Sequence, residues 1–434
     1  MQLKATLLSL LLVAQNALAT EGTVSHSTTH GRKTCTVYAY KIPKDGKRKD
    51  DVPNLLKAFK DCGDGGYIKF PAGQNYWIAQ RLNPVLNNVK IDWAGTWTFS
   101  DDLGYWRNNS YYVKFQNHRA GFAITGDDII INGFGTGGID GNGNAWYEAE
   151  KGVTQPGRPM PFVFWNVSQV TVTNFSVKQP PLWAINIMNG TNMYFSNITA
   201  NATAYNAPWG TNWVQNTDGF DTMDARNIHL EHFTYQGGDD CIAIKPRSYD
   251  IHISDVTCRG GNGIAIGSLG QYLEDSSVEN VKIDNVRIVR YNDDMHNCAY
   301  IKTWIGFQAP QSGYESEGQP RGGGWGYVRN VLFSNFDVQG ADNGPALTQD
   351  NGNNGSYAGT SKMLVSNIVW ANFTGYTHGG RRASVGCSKV NPCYNIAFEG
   401  LDIIDGTTGQ VAAEKCTNIA SHGVRGLDSV GCNV

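Results

Sequence analysis

The stretch "NIHLEHFTY", residues 227–235, sets a pattern that returns along much of the chain. It begins with Asn, alternates apolar residues with others, and carries a second Asn, Asp or His near its centre. The stretches "DIHISDVTC" at 250–258 and "NVKIDNVRI" at 280–288 repeat this order. Alternation of apolar residues over short runs is typical of β-strands. The pattern therefore predicts β-structure wherever it recurs.

The recurrences start at residues 169, 192, 227, 250, 280, 330, 367 and 395, so two intervals are 23 residues long and the others are longer. A period near 23 residues, lengthened by insertions, predicts a solenoid in which each repeat is one coil stacked on the next. A β-sandwich would need hairpin turns every 8–12 residues, and such signals are scarce. Helical periodicity is confined to 50–62. We therefore predict an all-β fold: one single-domain right-handed parallel β-helix over residues 20–434, with a short N-terminal capping helix.

The composition and the N-terminal residues indicate where the protein acts and which partners it lacks. The chain has 434 residues and a formal net charge of −3, without a basic block that would indicate nucleic acid. Residues 1–19 combine Lys4, an apolar run and a small-residue cleavage site at Ala17–Ala19, the pattern of a secretory signal peptide. The apolar run is too short to span a membrane. We expect cleavage after about Ala19 and a secreted protein with no membrane partner.

Sequons and cysteines agree with secretion. The chain has eight N-x-S/T sequons, at Asn108, Asn166, Asn174, Asn189, Asn197, Asn201, Asn354 and Asn372. It also has nine cysteines, none of them in a C-x-x-C pair, and its His residues are scattered. This spacing favours disulfides in an oxidising compartment over a metal site.

Acidic residues stand one coil apart in the middle of the repeats. Asp239 and Asp240 follow Asp218, in "NTDGFD", by about one coil, and Asn262, in "GGNGIAIGS", follows Asp239 by 23 residues. Residues one coil apart stack at a strand spacing of roughly 4.8 Å, so the sequence predicts a column of carboxyls on one face. Their repulsion should raise at least one pKa, giving the acid and base that a glycosidase needs. The alternative is an Asn/Asp ladder that only satisfies turn backbone.

Four motifs in order carry a family resemblance: "NTDGFD" at 216–221, "GGDDCIAIK" at 237–245, "GGNGIAIGS" at 260–268 and "YIKTW" at 300–304. Together they resemble glycoside hydrolase family 28, the polygalacturonases, and "GSLGQY" resembles its exo-acting fungal members. The resemblance implies inverting hydrolysis of a pectic polysaccharide without metal or cofactor. In it Asp239 matches the general acid, and Asp218 and Asp240 match the pair that activates the water.

Three further positions match substrate-binding residues of the family, two of them with a changed residue. Lys302 matches the lysine that binds the substrate carboxylate. Asn262 stands where most members have His, and Tyr300 stands where they have Arg. These two changes suit an exo-acting enzyme, or one whose substrate carries rhamnose or xylose near the cleavage point.

The resemblance extends to the cysteines. Cys241–Cys258 matches a family disulfide beside the active site. Three further pairs are expected: one that closes a tight loop, one that ties the C-terminus and one that pins the N-terminal cap, namely Cys387–Cys393, Cys416–Cys432 and Cys35–Cys62. Cys298 is left over, and we expect it to be a buried thiol.

The sequence leaves several functions open. The first is exo-polygalacturonase, galacturan 1,4-alpha-galacturonidase, acting as a monomer. The others are an exo-hydrolase of rhamnogalacturonan or xylogalacturonan, a calcium-dependent pectate lyase, and a carbohydrate-binding solenoid without activity. Exo action requires a blocked cleft, for which we expect the insertion between Lys302 and Asn330 as one wall and residues 98–112 as the other.

Overall fold

A computed structural model of the protein describes residues 21–291, 296–313, 319–353 and 355–432. The predicted signal peptide at 1–19 and the sequon at Asn354 lie outside these residues. The helices are α1 Val52–Cys62, α2 Leu103–Asn109 and α3 Asn144–Glu150, with short 3₁₀ turns at Phe115–Asn117 and Val430–Cys432. The strands are β1 Thr23–Thr29, β2 Arg32–Tyr38, β3 Tyr67–Phe70, β4 Asn75–Ile78, β5 Val85–Trp93, β6 Thr96–Phe99, β7 Tyr111–Val113, β8 His118–Ala120, β9 Ala123–Asn132, β10 Gly138–Asp140, β11 Pro159–Met160, β12 Val163–Lys178, β13 Ile185–Asn201, β14 Phe220–Gln236, β15 Ile242–Ile244, β16 Ser248–Arg259, β17 Ile264–Leu269, β18 Val278–Val289, β19 Ala299–Trp304, β20 Trp325–Ala341, β21 Ala346–Asn351, β22 Lys362–Thr377, β23 Ala383–Gly386, β24 Tyr394–Asp405, β25 Glu414–Thr417 and β26 Val424–Arg425.

The strands stack as parallel columns, which makes the fold a parallel β-helix. One column runs β5–β9–β12–β13–β14–β16–β18–β20–β22–β24–β26, every pair parallel. A second column begins on the first residues of β14 and continues β15–β17–β19–β21–β23–β25. The predicted fold class is confirmed.

The repeated pattern turns two corners rather than forming one straight strand. Its first residue has a left-handed backbone at Asn192, Asn227, Asp250, Asn280, Asn330, Asn367 and Asn395, with φ between 54° and 59°. Its sixth residue does so at Asn174, Asn197, His232, Asp255, Asn285, Asn335 and Asn372. Asn and Asp tolerate this conformation better than other residues with a side chain. The polar residues of the pattern are therefore the corners of each coil.

Side-chain amides join these corners from coil to coil. The Nδ2 group of Asn280 donates to Asp250 at 2.9 Å, and that of Asn330 donates to Asn280 at 3.2 Å. At the second corner Asn197 donates to Asn174 at 2.8 Å and Asn372 to Asn335 at 2.7 Å. Three sequons, at Asn174, Asn197 and Asn372, occupy this second corner. Their glycosylation stays a prediction.

Between the corners the apolar residues of the pattern point inward and stack on their counterparts in the next coil. Ile228, Leu230, Phe233 and Tyr235 of β14 are all buried. Aromatic rings stack in the same way further on, as in Trp370 on Phe398 at 4.8 Å. The core is thus a set of apolar columns, each extended by one residue per coil.

Helix α1 covers the first coil, as the sequence predicted for 50–62. Its buried residues recur every three or four positions, at Val52, Leu55, Ala58, Phe59 and Cys62, so one face meets the core. Phe59 packs edge-on against two aromatic rings of the first coils. Among the described residues, no helix is long and apolar enough to cross a membrane.

Four disulfides join Cys35–Cys62, Cys241–Cys258, Cys387–Cys393 and Cys416–Cys432. These are the pairs that the resemblance implied. Cys298 is free and buried, and burial raises the pKa of its thiol to about 12. The thiol therefore stays protonated and behaves as a small core residue.

The corner residues yield a test of the fold. Replacing Asn280 with Ala forces a Cβ-bearing residue without a polar group into a φ of 59° and removes two hydrogen bonds. We expect a loss of about 2 kcal/mol in the free energy of unfolding, measured in denaturant. Asn280→Gly loses the same hydrogen bonds without the left-handed penalty and should cost less. Equal losses for the two variants would contradict a conformational role for this corner.

Candidate active site

The second strand column places the predicted acids side by side. Asp221, Ala243, Ala265 and Tyr300 are aligned across β14, β15, β17 and β19. The bond from Gly219 N to Asp240 O and that from Cys241 N to Gly263 O continue this register ahead of the strands. Asp218, Asp240 and Asn262 therefore share one level on successive coils, with Asp239 beside them. This is the column that the 21- to 23-residue spacing predicted.

The three acids form a tight cluster. One oxygen of each of Asp218, Asp239 and Asp240 lies within 4.8 Å of the others. Asp218 and Asp240 are buried, whereas Asp239 is half-buried. Asp239 is thus the member that a substrate in the cleft can reach.

Asp239 is fixed by amide donors. Its Oδ2 accepts from the backbone N and Nδ2 of Asn216 at 3.1 and 3.2 Å. Its Oδ1 accepts from Asp240 N at 2.8 Å and from Asn262 Nδ2 at 3.1 Å. Asn262 was expected to bind substrate, and here it orients the acid. Asn216, the first residue of the motif "NTDGFD", was not singled out by the sequence.

Asp240 is held by the two residues of the fourth motif. The Tyr300 hydroxyl donates to its Oδ1 at 2.5 Å, and Lys302 Nζ donates to its Oδ2 at 2.9 Å. Lys302 also bonds the Tyr300 oxygen at 2.9 Å. Both residues were expected to bind substrate, yet both contact the carboxylate of Asp240. A phenol and an ammonium group thus hold this carboxylate in place.

A second lysine and a fourth acid complete the cluster. Lys245 Nζ lies 3.4 Å from Asp218 Oδ2 and 3.7 Å from Asp221 Oδ2, and all three residues are buried. The ammonium also lies over the Trp183 ring, 4.0 Å from its centroid. Burial lowers the pKa of Lys245, but the charges of Asp221 and Asp218 raise it further, so the lysine stays charged. Four buried or half-buried carboxyls thus share two ammonium groups.

The excess of acid over base shifts the carboxyl pKa values upward. Burial, and then the charge of Asp221, raises the pKa of Asp218 well above its ordinary value. Burial raises the pKa of Asp221 to about 7, against the attraction of Lys245. Burial and the charge of Asp240 also raise the pKa of Asp239. The cluster therefore retains protons at pH values where free aspartates are ionised.

Asp221 and Lys245 were missed by the sequence reasoning, although a signal was present. In "IAIK", residues 242–245, Ile242 and Ile244 point into the core, so Ala243 and Lys245 must point out to the cleft. The same alternation on β14 brings out Asp221. Applying the inward and outward alternation of strand side chains to both strands would have placed Asp221 and Lys245 beside Asp218.

A cavity of about 350 Å³ is lined in part by Met223 and Arg247, which follow Asp221 and Lys245 of the cluster by two residues each. Aromatic side chains line it, and Lys114, Arg247 and Glu274 add charge. The lining aromatic residues are Tyr112, Phe115, Trp165 and Tyr272. Tyr112 is the one lining residue from the stretch 98–112, so this wall is formed mainly by residues just after it. The insertion after Lys302 contributes Gln319 among the described residues.

The buried carboxyls make folding stability depend on pH. Asp221 has a folded-state pKa of about 7 against an ordinary 3.8, so between these values the folded chain holds a proton that the unfolded chain has released. Stability should therefore fall as pH rises from 4 to above 7. Thermal unfolding across this range should show a smaller fall for Asp221→Asn than for the unmodified protein. An equal fall would contradict a raised pKa at Asp221.

Comparison with known proteins places this geometry in a family. The sequence profile described as glycosyl hydrolases family 28 matches residues 67–425. An Aspergillus niger protein with the provisional name galacturan 1,4-alpha-galacturonidase C is 64% identical over 93% of this chain and 94% of its own length. An alpha-L-rhamnosidase of the same species is 32% identical over 93% of this chain and 91% of its own.

Among solved structures, the endo-xylogalacturonan hydrolase of Aspergillus tubingensis superposes with a TM-score of 0.75 at 26% identity, over 91% of this chain and 99% of that one. The profile match covers the four motifs and the strand columns that carry the carboxyl cluster. The chain belongs to glycosyl hydrolases family 28, and it is a glycoside hydrolase of the parallel β-helix type.

Proposed function

We propose that this protein is an exo-polygalacturonase that releases galacturonic acid from the ends of pectic polygalacturonate. The proposal is carried by the different exposure of the three aspartates. Asp239 is half-buried and faces the cleft, while Asp218 and Asp240 lie buried beside it. The provisional name of the 64% identical relative supports the substrate and the mode of cleavage.

In this mechanism Asp239 acts as the general acid. Its raised pKa keeps a proton on the carboxyl, and that proton passes to the glycosidic oxygen as the C–O bond breaks. Asp240, held in place by Tyr300 and Lys302, takes a proton from the attacking water. Asp218, ion-paired with Lys245, orients that water. No step requires a metal ion, because the two ammonium groups supply the positive charge of the cluster.

We also propose that the enzyme is secreted and acts as a monomer. A signal peptide at 1–19 would direct the protein to the outside of the cell, where pectin is found. Eight sequons and four disulfides fit that compartment. We propose that the secreted protein is a monomer, with its solenoid covered at the N-terminal end by α1.

The first test is the product profile on polygalacturonate, with and without EDTA. We expect monomeric galacturonate from the outset, insensitive to EDTA. Asp239→Asn should lower kcat by about 10²- to 10⁴-fold because the leaving oxygen loses its proton donor. Asp337→Asn, an ion-paired residue on another face, is the matched control and should leave kcat unchanged. Unsaturated products would indicate a lyase instead, and no product from any pectin would indicate a binding protein.

The stereochemistry of the product is a separate test. Inverting glycosidases hold their carboxyls roughly 6.5–9.5 Å apart and retaining ones about 5–5.5 Å, whereas the nearest oxygens here lie within 4.8 Å. Spacing alone therefore does not favour inversion, and the proposal rests on a water held between Asp218 and Asp240. Proton NMR of the fresh product should show the β-anomer of galacturonate. An initial α-anomer would mean that one aspartate attacks the sugar directly.

A second substrate class is favoured by the fourth motif. Since Tyr300 and Lys302 both contact Asp240, neither is held free for a substrate carboxylate. The alpha-L-rhamnosidase relative and the xylogalacturonan hydrolase structure point the same way. Exo-hydrolysis of rhamnogalacturonan or xylogalacturonan is therefore the alternative. Faster release from a rhamnose- or xylose-bearing pectin than from polygalacturonate would establish it.

A further inference from the structure

The aromatic-lined cavity begins close to the carboxyl cluster. Met223, in its lining, follows Asp221 by two residues on β14, so both side chains leave the same face of the strand, about 6.6 Å apart along it. Phe115, also in the lining, has its ring centre 6.4 Å from that of Trp183, and the Lys245 ammonium lies 4.0 Å from the same ring. One ring therefore separates the cavity from an ammonium group of the cluster.

Two segments that are distant in the sequence meet at this cavity. The backbone N of Gln116 donates to the Tyr272 hydroxyl at 2.9 Å, and its Nε2 donates to Gln271 Oε1 at 2.9 Å. The rings of Phe115 and Tyr272 pack edge-on with their centres 5.5 Å apart. A polymer running through this place would have to separate the two segments. The contact therefore suits a site for the end of a chain.

Lys114 is directed to the cavity by its neighbours in the sequence. Val113 and Phe115 are buried in one apolar cluster, whereas Lys114 between them is exposed and lines the cavity. Its ammonium group has no ion pair or hydrogen bond within the part of the chain that the structure describes. An exposed lysine is commonly solvated, but this one stands beside a cavity that a ligand can enter.

The charged residues of the lining leave one positive charge in excess. Arg247 donates to Asp224 at 3.0 Å and lies 3.3 Å from Glu274, so its charge is already paired. Glu274 also lines the cavity, and it offsets one of the two cations there. Lys114 is the other cation. A ligand with a single carboxylate would balance its charge through a charge-assisted hydrogen bond.

The rest of the lining suits a sugar ring. Trp165 and Tyr272 are half-buried, so each presents part of its ring to the cavity. Trp165 is aligned with Met223 through Met188 of β13, which continues the surface across three coils. The negative face of an aromatic ring attracts the C–H groups of a pyranose. The volume of about 350 Å³ lies within the range of roughly 300–1,000 Å³ found for small-ligand sites.

We propose that this cavity holds the terminal galacturonate of the chain and that Lys114 binds its carboxylate. The inference rests on the proposed function, since it presumes a uronate substrate. It assigns to Lys114 the task that the sequence had given to Lys302. Lys114 is then a specificity-determining residue, which distinguishes galacturonate from galactose, the sugar with a hydroxymethyl group in place of the carboxylate.

The test is calorimetry of galacturonate and galactose binding. The unmodified protein should bind galacturonate about 10-fold more tightly than galactose, because only galacturonate pairs with Lys114. Lys114→Gln should remove most of this preference by weakening galacturonate binding, and galactose binding should not change. Lys114→Arg keeps the charge and should restore most of the preference. Lys90→Gln, which removes an exposed lysine of β5 outside the cavity lining, is the matched control and should behave as the unmodified protein.

Kinetics on trigalacturonate provide a second readout. Lys114→Gln should raise KM about 10-fold with little change in kcat, because the pair with the carboxylate is made in the bound substrate as well as in the transition state. Two results would overturn the proposal. One is an affinity for galacturonate that Lys114→Gln leaves unchanged, and the other is an equal loss of affinity for both sugars, which would mean a structural role.

The two measurements also separate this inference from the proposed function. If the unmodified protein hydrolyses polygalacturonate and Lys114→Gln matches it in binding and in KM, the inference fails alone. If the unmodified protein hydrolyses no uronide, yet prefers galacturonate to galactose and loses that preference in Lys114→Gln, the proposed function fails and the carboxylate site stands. If the unmodified protein has no preference for galacturonate, the inference fails whatever the protein hydrolyses.

Discussion

Every coil of this protein must lie in register on the coil before it, because each coil satisfies its backbone hydrogen bonds only through its neighbours. Parallel strands stand about 4.8 Å apart, so a residue type that recurs once per coil forms a column with that spacing. Apolar residues such as Ile228 and Ile251 form the core in this way, and corner residues such as Asn280 form hydrogen-bonded ladders. The same register brings Asp218 and Asp240 to one level. Structure and chemistry therefore depend on a single alignment.

That alignment carries an electrostatic cost, since carboxyls on adjacent coils repel each other. The structure offsets part of it with Lys245 and Lys302, each of which contacts one side of the cluster. The compensation is incomplete, because four carboxyls share two ammonium groups. The remaining repulsion and the burial keep protons on the cluster, which a general acid requires. A cluster neutralised in full by lysines would be more stable, but it would have no proton to give at the pH of the reaction.

The residues of the fourth motif lie at the positions expected for the family, but they contact a different group. Tyr300 and Lys302 occupy the expected strand, yet their polar atoms meet on Asp240 rather than in the open cleft. Tyr cannot carry the permanent charge of an Arg, so the contact with Asp240 is a single hydrogen bond reinforced by Lys302.

The sequence alone determined the fold, because a period-two pattern with Asn or Asp at fixed places has few ways to bury its apolar residues other than a stacked coil. It also determined the acid column, since a spacing of 21 to 23 residues is one coil. Asp221 and Lys245 were within reach of the same periodicity. The tertiary structure decided the partners: that Asn262 orients Asp239 and that Lys302 binds Asp240. Those contacts join a strand to loops of unequal length, and loop paths depend on packing that no repeat in the sequence encodes.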